Sequence, residues 1–393
     1  MSHTEQYVVD QKDANELVDV PQLVNYIIQD GLDRTASDIH IEPWEDMTGV
    51  RMRVNGVLQW VVGIPSEYHE NICGRFKVMA NMKSHVKDLP QDGKAAPEEF
   101  HGVQLRVSIF PTVYGEKIVC RIFNPDVKTF NIETLGFDDE TLERFKEIIS
   151  KPTGLILLTG PTGSGKTTAI YAAIGFIIEK AGNAIAVSSV EDPVEQNLDW
   201  VNQSSLNVSM GYTYPLALRS LMRQDPEIIM IGEIRDEETA AIAINAGMTG
   251  HLVISTLHSG TTSGTFARLI NMNIEPFLLA STIIGVLGVR LLRQNCLHCS
   301  TPYQPEAFAL EQLRQHEGEE YVGDLSSGDC FYRGAGCTAC SNTGFGGRSS
   351  ITELLTCDAD IREAVMRKKP TSEIQGIAVN AGMSTLWDGG LKM

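Results

Sequence analysis

The segment Gly160-Pro161-Thr162-Gly163-Ser164-Gly165-Lys166-Thr167 fits G-x-x-x-x-G-K-[ST]. Glycines at these positions let successive backbone N–H groups turn inward on a β-phosphate, and a following helix N-terminus adds positive potential. In that scheme Lys166 reaches the β- and γ-phosphates, the Thr167 hydroxyl takes Mg²⁺, and Thr168 continues the binding stretch. The ligand implied is ATP. Hydrolysis also requires a carboxylate beside the metal and a group that orients the attacking water. Glu233 closes the apolar run Ile228 to Ile231 after Gly232, the layout of a Walker B element, and is expected to face Mg²⁺ together with Thr167. Glu191 ends a second β-rich run, which Pro193 stops, and is expected near the same edge. His251 and His258 flank the run Leu252 to Ser255, so at least one should reach that edge; His258 is the stronger candidate.

A second chemistry is carried by cysteine. Cys296-Leu297-His298-Cys299 and Cys337-Thr338-Ala339-Cys340 put two thiolates on each of two knuckles, the donor set of a tetrahedral Zn²⁺ site. With four cysteine ligands the site is closed, hence structural. The 37-residue gap between the pairs exceeds the roughly 15–20 of the common ribbon pattern, but Gly336, Gly344, Gly346 and Gly347 supply the tight turns that knuckles need. His298 and Cys330 are rival ligands. Cys73, Cys120 and Cys357 read as packed thiols.

The elements that must position these groups follow from periodicity. From Lys151 onward, short apolar runs (Leu155–Thr159, Ala184–Val190, Ile228–Ile231, Leu252–Ser255) alternate with helical stretches such as Thr168–Lys180. That alternation predicts a mostly parallel sheet covered on both faces. The cysteine region interrupts it, and a mostly helical piece is expected from Ile351 onward. Upstream, residues 21–124 mix helix and strand. Val50–Val54, then Asn55-Gly56, then Val57–Trp60 reads as a hairpin with a type I′ turn. Val103–Ile109 and Ile118–Phe123 read as two further strands. The first ~20 residues are expected to be frayed, and residues 125–139 to be a linker.

Composition narrows the partners. Apolar residues make up 42% and charged residues 21%, as in globular proteins, and the formal charge is -18. A chain held mainly by nucleic-acid phosphates or anionic lipid carries the opposite balance. The N-terminal MSHTEQYVVDQKDANE lacks the apolar core of a signal peptide, and the uncharged stretch Pro276–Val289 is shorter than the ~20 residues of a bilayer span. The expected location is cytoplasmic, peripheral at the inner face of the membrane, with membrane contact only through protein partners.

SDIHIEP (Ser37–Pro43), GPTGSGKTT, VEDPVE, LRSLMRQDPEIIMIGEIRD (Leu218–Asp236), GHLVISTLHS and GCTACSNTGFGGRSSITELL together resemble the secretion ATPases, the hexameric motors of type II secretion and type IV pilus assembly. The resemblance implies an α/β fold: a RecA-like P-loop domain (140–393) preceded by a smaller α+β, PAS-like domain (21–124). The P-loop domain would include a zinc module (291–350) and a C-terminal helical piece (351–393). It implies that Glu191 polarises the attacking water, that Glu233 sits beside the metal, and that Arg106 and Arg121 of the N-terminal domain reach the phosphates. It also implies a homo-hexamer that drives an inner-membrane platform protein. Longer members carry a further N-terminal domain that docks to the membrane apparatus, whereas about 20 residues precede the SDIHIEP domain in this sequence. The tetracysteine module resembles that of assembly and secretion motors rather than retraction motors. A retraction ATPase, a RecA-like nucleic-acid motor and a nucleotide-gated scaffold are the rival readings.

Overall fold

The computed structural model describes residues 2–14, 17–123, 130–317 and 331–392. The chain divides into two units, Met1–Lys128 and Thr129–Met393.

The first unit is a six-stranded antiparallel sheet in the order β3-β2-β1-β6-β5-β4. Its strands are β1 (Asp38–Pro43), β2 (Met47–Val54), β3 (Val57–Pro65), β4 (Gln91–Ala95), β5 (Gln104–Thr112) and β6 (Gly115–Phe123). Asn55 and Gly56 both have positive φ (50° and 82°), as the type I′ turn between β2 and β3 demands. Two helices, α2 (Val20–Asp33) and α3 (His69–Met79), bury Leu23, Ile27, Ile28 and Phe76 against Ile39, Ile41, Val107 and Ile118 of the sheet. The N-terminal stretch differs from the expectation of a frayed tail. Residues His3–Ala14 form helix α1, and the Asp30 carboxylate caps its start, accepting from the His3 and Thr4 N–H groups and from the Thr4 hydroxyl (2.5 Å). Polar composition hid this helix because its anchor is a buried hydrogen-bond cluster rather than an apolar stripe.

The second unit holds a seven-stranded sheet, β15-β12-β7-β11-β10-β8-β9. The strands are β7 (Gly154–Thr159), β8 (Val187–Glu191), β9 (Val201–Ser205), β10 (Ile228–Ile231), β11 (Leu252–Leu257), β12 (Ile283–Asn295) and β15 (Phe345–Thr356). All pair in parallel except β15, which runs antiparallel to β12. Successive residues of each strand enter different cores. Leu155, Leu157, Ile229, Ile231 and Val253 face one cluster, while Ile156, Leu158, Ile228, Met230 and Ile254 face the other. Double-sided burial is why these strands read as continuous apolar runs. One side is covered by α4 (Asp139–Ile149) and α5 (Lys166–Ala181). The other is covered by α6 (Tyr214–Leu221), α7 (Glu237–Met248), α8 (Gly264–Asn271), α9 (Pro276–Thr282) and the helices Ala359–Met366 and Thr371–Asn380.

Two boundaries differ from the sequence reading. Ile351–Thr356, expected to begin the helical piece, completes β15; helix starts only at Ala359. Pairing with the apolar β12 overrides local propensity there. Of the expected linker, 125–129 lies outside the described residues, and apolar residues of the remainder pack onto the second unit's core. The Phe130 ring meets Tyr171 edge-on at 5.1 Å, and Ile132 is buried beside α5. A two-stranded ribbon, β13 (Ser300–Pro302) with β14 (Tyr332–Gly334), carries the cysteine module.

Candidate functional site

Parallel strands put their carboxyl ends on one edge, where α/β sheets bind ligands. At that edge β7 runs into the phosphate loop and α5, β10 into Gly232-Glu233, and β11 into His258. The loop depends on glycine. Gly160 has φ +153°, and a Cβ there would stand 2.5 Å from Ser164 Oγ and 2.6 Å from the Val289 carbonyl oxygen. Gly163 and Gly165 also have positive φ, and the loop is continuous with the first turn of α5. Lys166 folds back over the loop, its Nζ donating to the carbonyls of Gly160 (2.8 Å) and Pro161 (2.9 Å). Burial lowers the Lys166 pKa, the Arg290 charge lowers it further, and Glu233 opposes them. Thr167 is half-buried and Thr168 exposed at the helix start. Ser164 Oγ is buried without a hydrogen-bond partner, an orphan donor in the middle of the cradle.

The two strand-end acids differ. Glu233 is partly exposed, forms an ion pair with Arg235, and lies 3.6 Å from His258 Nε2. Arg235 also reaches Asp192 at 3.3 Å. The turn carrying Glu233 is pinned to β11, because the Thr256 hydroxyl donates to the Gly232 carbonyl (2.8 Å) and the Ile234 N–H to the Thr256 carbonyl (2.9 Å). Glu191, by contrast, is 2% exposed and accepts from Tyr171 (2.5 Å), Ser189 (2.6 Å) and Gln203 (3.1 Å). Burial and the Glu191 charge raise the Tyr171 pKa, which keeps that phenol a donor. Lys166, Glu233 and His258 thus share the ligand edge, whereas the Glu191 carboxylate, at the end of β8, is buried among Tyr171, Ser189 and Gln203. His251 lies at the opposite end of β11, its Nδ1 3.0 Å from the Ala246 carbonyl oxygen.

Sequence reasoning missed Arg290. It lies on β12, two residues beyond the Gly288–Thr159 pair, and stands beside Gly160. Arg235 was missed as well, although it lies within GEIRD. The available signal for Arg290 was one cation closing a long uncharged run.

In the first unit, Arg106 and Arg121 are directly opposite one another on β5 and β6. The same transverse row continues through Asp38 to Arg53 on one side and to Lys94 on the other. Four cations therefore cross the sheet with one acid between them. Asp38 holds Arg121 (3.0 Å) and Arg53 (3.8 Å), and Arg106 is exposed.

The cysteine module converges on one point. Cys296, Cys299, Cys337 and Cys340 offer sulfurs within 4.8 Å of one another, with Cys296–Cys337 at 3.9 Å and both Cys299–Cys340 and Cys337–Cys340 at 3.8 Å. A zinc–thiolate bond of about 2.3 Å in a tetrahedron separates sulfurs by about 3.8 Å, so the four could hold one Zn²⁺. The ribbon closes only with glycine, since a Cβ on Gly334 would stand 1.8 Å from the Gly344 carbonyl oxygen. Gly336 N–H donates to Cys299 Sγ, and the N–H groups of Cys337 and Gly344 donate to Cys340 Sγ. Burial works against ionising Cys340, but those two N–H groups and the neighbouring thiols hold it down at about 6. Cys299 is pushed up to about 12 by burial and its sulfur neighbours, its N–H bond opposing them. His298 is exposed, and Cys330 lies outside the described residues. Burial raises the remaining described thiols, Cys73, Cys120 and Cys357, to about 12, in keeping with packed side chains.

With this geometry in place, the family model for type II/IV secretion system proteins matches residues 13–393. The chain belongs to that family. Curated relatives include the type IV pilus assembly ATPase PilB of Thermus thermophilus, 42% identical over 371 residues, covering 94% of this chain and 41% of the relative. Type II secretion system protein E of Xanthomonas campestris pv. campestris is 40% identical over 378 residues, 95% of this chain and 64% of the relative. HxcR, a type II secretion system protein of Pseudomonas aeruginosa, is 39% identical over 384 residues, 98% and 76% of the two chains. The chain therefore spans less than two thirds of the first two. Among solved structures, the Legionella pneumophila ATPase DotB superposes with TM-score 0.66 at 18% identity, over 95% of this chain and 91% of DotB. The retraction motor PilT with bound ADP gives 0.59 at 22%, over 95% and 96%. At these identities the structures speak for the fold, and they agree with the α/β expectation. Among the described residues, no helix is long and apolar enough to cross a membrane.

Proposed function

We propose that this family member is a Mg²⁺-dependent ATPase acting as a hexameric ring, and that hydrolysis powers type IV pilus assembly or type II secretion through an inner-membrane platform protein. The observation that carries the reading is the shared edge: a glycine-dependent phosphate loop, Lys166, Thr167, Glu233 and His258. Gly160 to Thr168 would bind the phosphates. Thr167 and Glu233 would hold Mg²⁺, which supplies charge neutralisation at the transferring phosphoryl group. Lys166 already spends its donors on two loop carbonyls that a phosphate oxygen can replace. Glu233 is the carboxylate best placed to orient a water. Glu191, accepting from three donors, would tie the end of β8 to α5 and β9.

Arg106 and Arg121, in a row of cations with one acid among them, are proposed to bring positive charge to the phosphates during the cycle. The tetracysteine site would be a structural Zn²⁺ centre. Together with the names of the curated relatives, it supports assembly or secretion rather than retraction. Location at the inner face of the cytoplasmic membrane through protein partners fits the acidic surface.

Ring formation is tested by native mass spectrometry alongside specific activity at increasing protein concentration. Six-copy particles and a rising specific activity are expected. A monomer with full activity at all concentrations contradicts the motor reading.

A further inference from the structure

We infer that Arg290 is a second phosphate-binding cation of the nucleotide cradle, supplied by β12 from the same chain as the phosphate loop. The inference rests on the ATP reading of that loop. Four observations carry it. The β12–β7 register pairs Gly288 with Thr159, so Arg290 lies just past the point where β7 becomes the loop. A Cβ on Gly160 would stand 2.9 Å from Arg290 Nη1, which puts the guanidinium against the first residue of the cradle. Its charge is felt by Lys166, whose pKa it depresses after burial does. Finally, the guanidinium is held by carbonyls only: Nη1 donates to Val289 (2.9 Å) and Nη2 to Gly260 (2.7 Å).

Lys166 is in the same condition, bonded to two carbonyls and to no carboxylate. Among the described residues neither cation forms an ion pair, in a chain of net charge -18 with acids in excess. A buried and a half-buried cation left without counter-ions beside one glycine loop are arranged for a polyanion. A triphosphate can exchange those neutral carbonyl bonds for charge-assisted ones, which are shorter and about twice as strong. The Gly260 contact adds a consequence. Gly260 follows His258 by two residues, so movement of Arg290 onto a phosphate removes one tie on the loop that carries His258, while Ser259 stays bonded to Thr159. The planar fork of arginine suits this exchange better than a lysine, which meets phosphate as a point charge.

The test compares wild type, Arg290→Gln, Arg290→Lys and Lys166→Ala by calorimetric titration with Mg-ATP and with inorganic tripolyphosphate, which lacks the base and ribose. Arg290→Gln is expected to weaken both ligands about tenfold or more, and Arg290→Lys to recover part of the loss. Unchanged affinity for both ligands overturns the inference, even if turnover or melting temperature falls, because the arginine then only positions the Gly260 loop. Weaker ATP with unchanged tripolyphosphate also overturns it, by placing the guanidinium on the base or ribose. Failure of the ATP reading itself looks different: wild type fails to bind Mg-ATP, or Lys166→Ala binds it as wild type does.

Discussion

Glu191 and Glu233 end neighbouring strands of one sheet, and their surroundings differ. Glu233 faces the edge with Arg235 and His258 around it. Glu233→Gln is expected to bind Mg-ATP with near wild-type affinity and to turn it over at least ~100-fold more slowly, the scale of a lost proton-handling group; titration and phosphate release on one preparation separate the two effects. Glu191 has three donors and 2% exposure. Glu191→Gln replaces one acceptor oxygen by an NH₂ facing donors, which should cost about 1–3 kcal/mol of stability, read as a lower melting temperature. A fully stable Glu191→Gln protein with lost turnover would instead return the water-polarising role to Glu191. Sequence spacing placed both acids at strand ends, because β-run plus terminal acid is a local pattern. It could not say which way Glu191 points, since that depends on Tyr171 and Gln203, 20 and 12 residues away. Arg290 escaped for the same reason: its neighbour Gly160 is 130 positions earlier, brought together only by strand order.

At the scale of elements, the parallel strands and the β2–β3 hairpin were legible because each is written in a short window of sequence. The long pairing of β12 with β15 was not, since its partners flank the whole cysteine region. That pairing makes the module an excursion between two halves of one ladder, so its closure matters locally. Cys296→Ser is expected to lose zinc and to lower the melting temperature together, measured by metal analysis and calorimetry on the same sample. A metal-free wild type of unchanged stability contradicts the zinc reading. The sheet of the first unit has its own weak point in acid. His69 and His40 are both held below the ordinary 6.5 by burial, which disfavours their charged forms; His69 takes part in the Thr48–Glu116 network, and His40 Nδ1 is buried without a partner. Unfolding lets these imidazoles take up protons that the folded sheet refuses. Stability is therefore full above about pH 6.5 and falls as pH drops below it. His69→Gln should flatten that fall in chemical denaturation series at pH 7.5, 6.5 and 5.5; an unchanged slope removes His69 from the account.

For the whole molecule, the -18 charge and the cation row of the first unit belong together. In an acidic chain, Arg53, Arg121, Arg106 and Lys94 stand in one line with Asp38 as the sole acid of that row, a local excess of positive charge. Arg106→Gln should leave stability almost unchanged, because that side chain is exposed, whereas Arg121→Gln removes the nearer partner of the buried Asp38 carboxylate and should cost about 1–3 kcal/mol. Turnover should fall ~10³-fold or more if these side chains reach the transferring phosphoryl group; equal turnover would make the row a solvated face. The central claim, Mg²⁺-dependent hydrolysis at the Gly160–Thr168 cradle, is tested most directly by steady-state phosphate release from ATP. Wild type with Mg²⁺ should release phosphate steadily, and chelation of Mg²⁺ or Lys166→Ala should abolish that release in folded protein. Release that survives both would contradict the account.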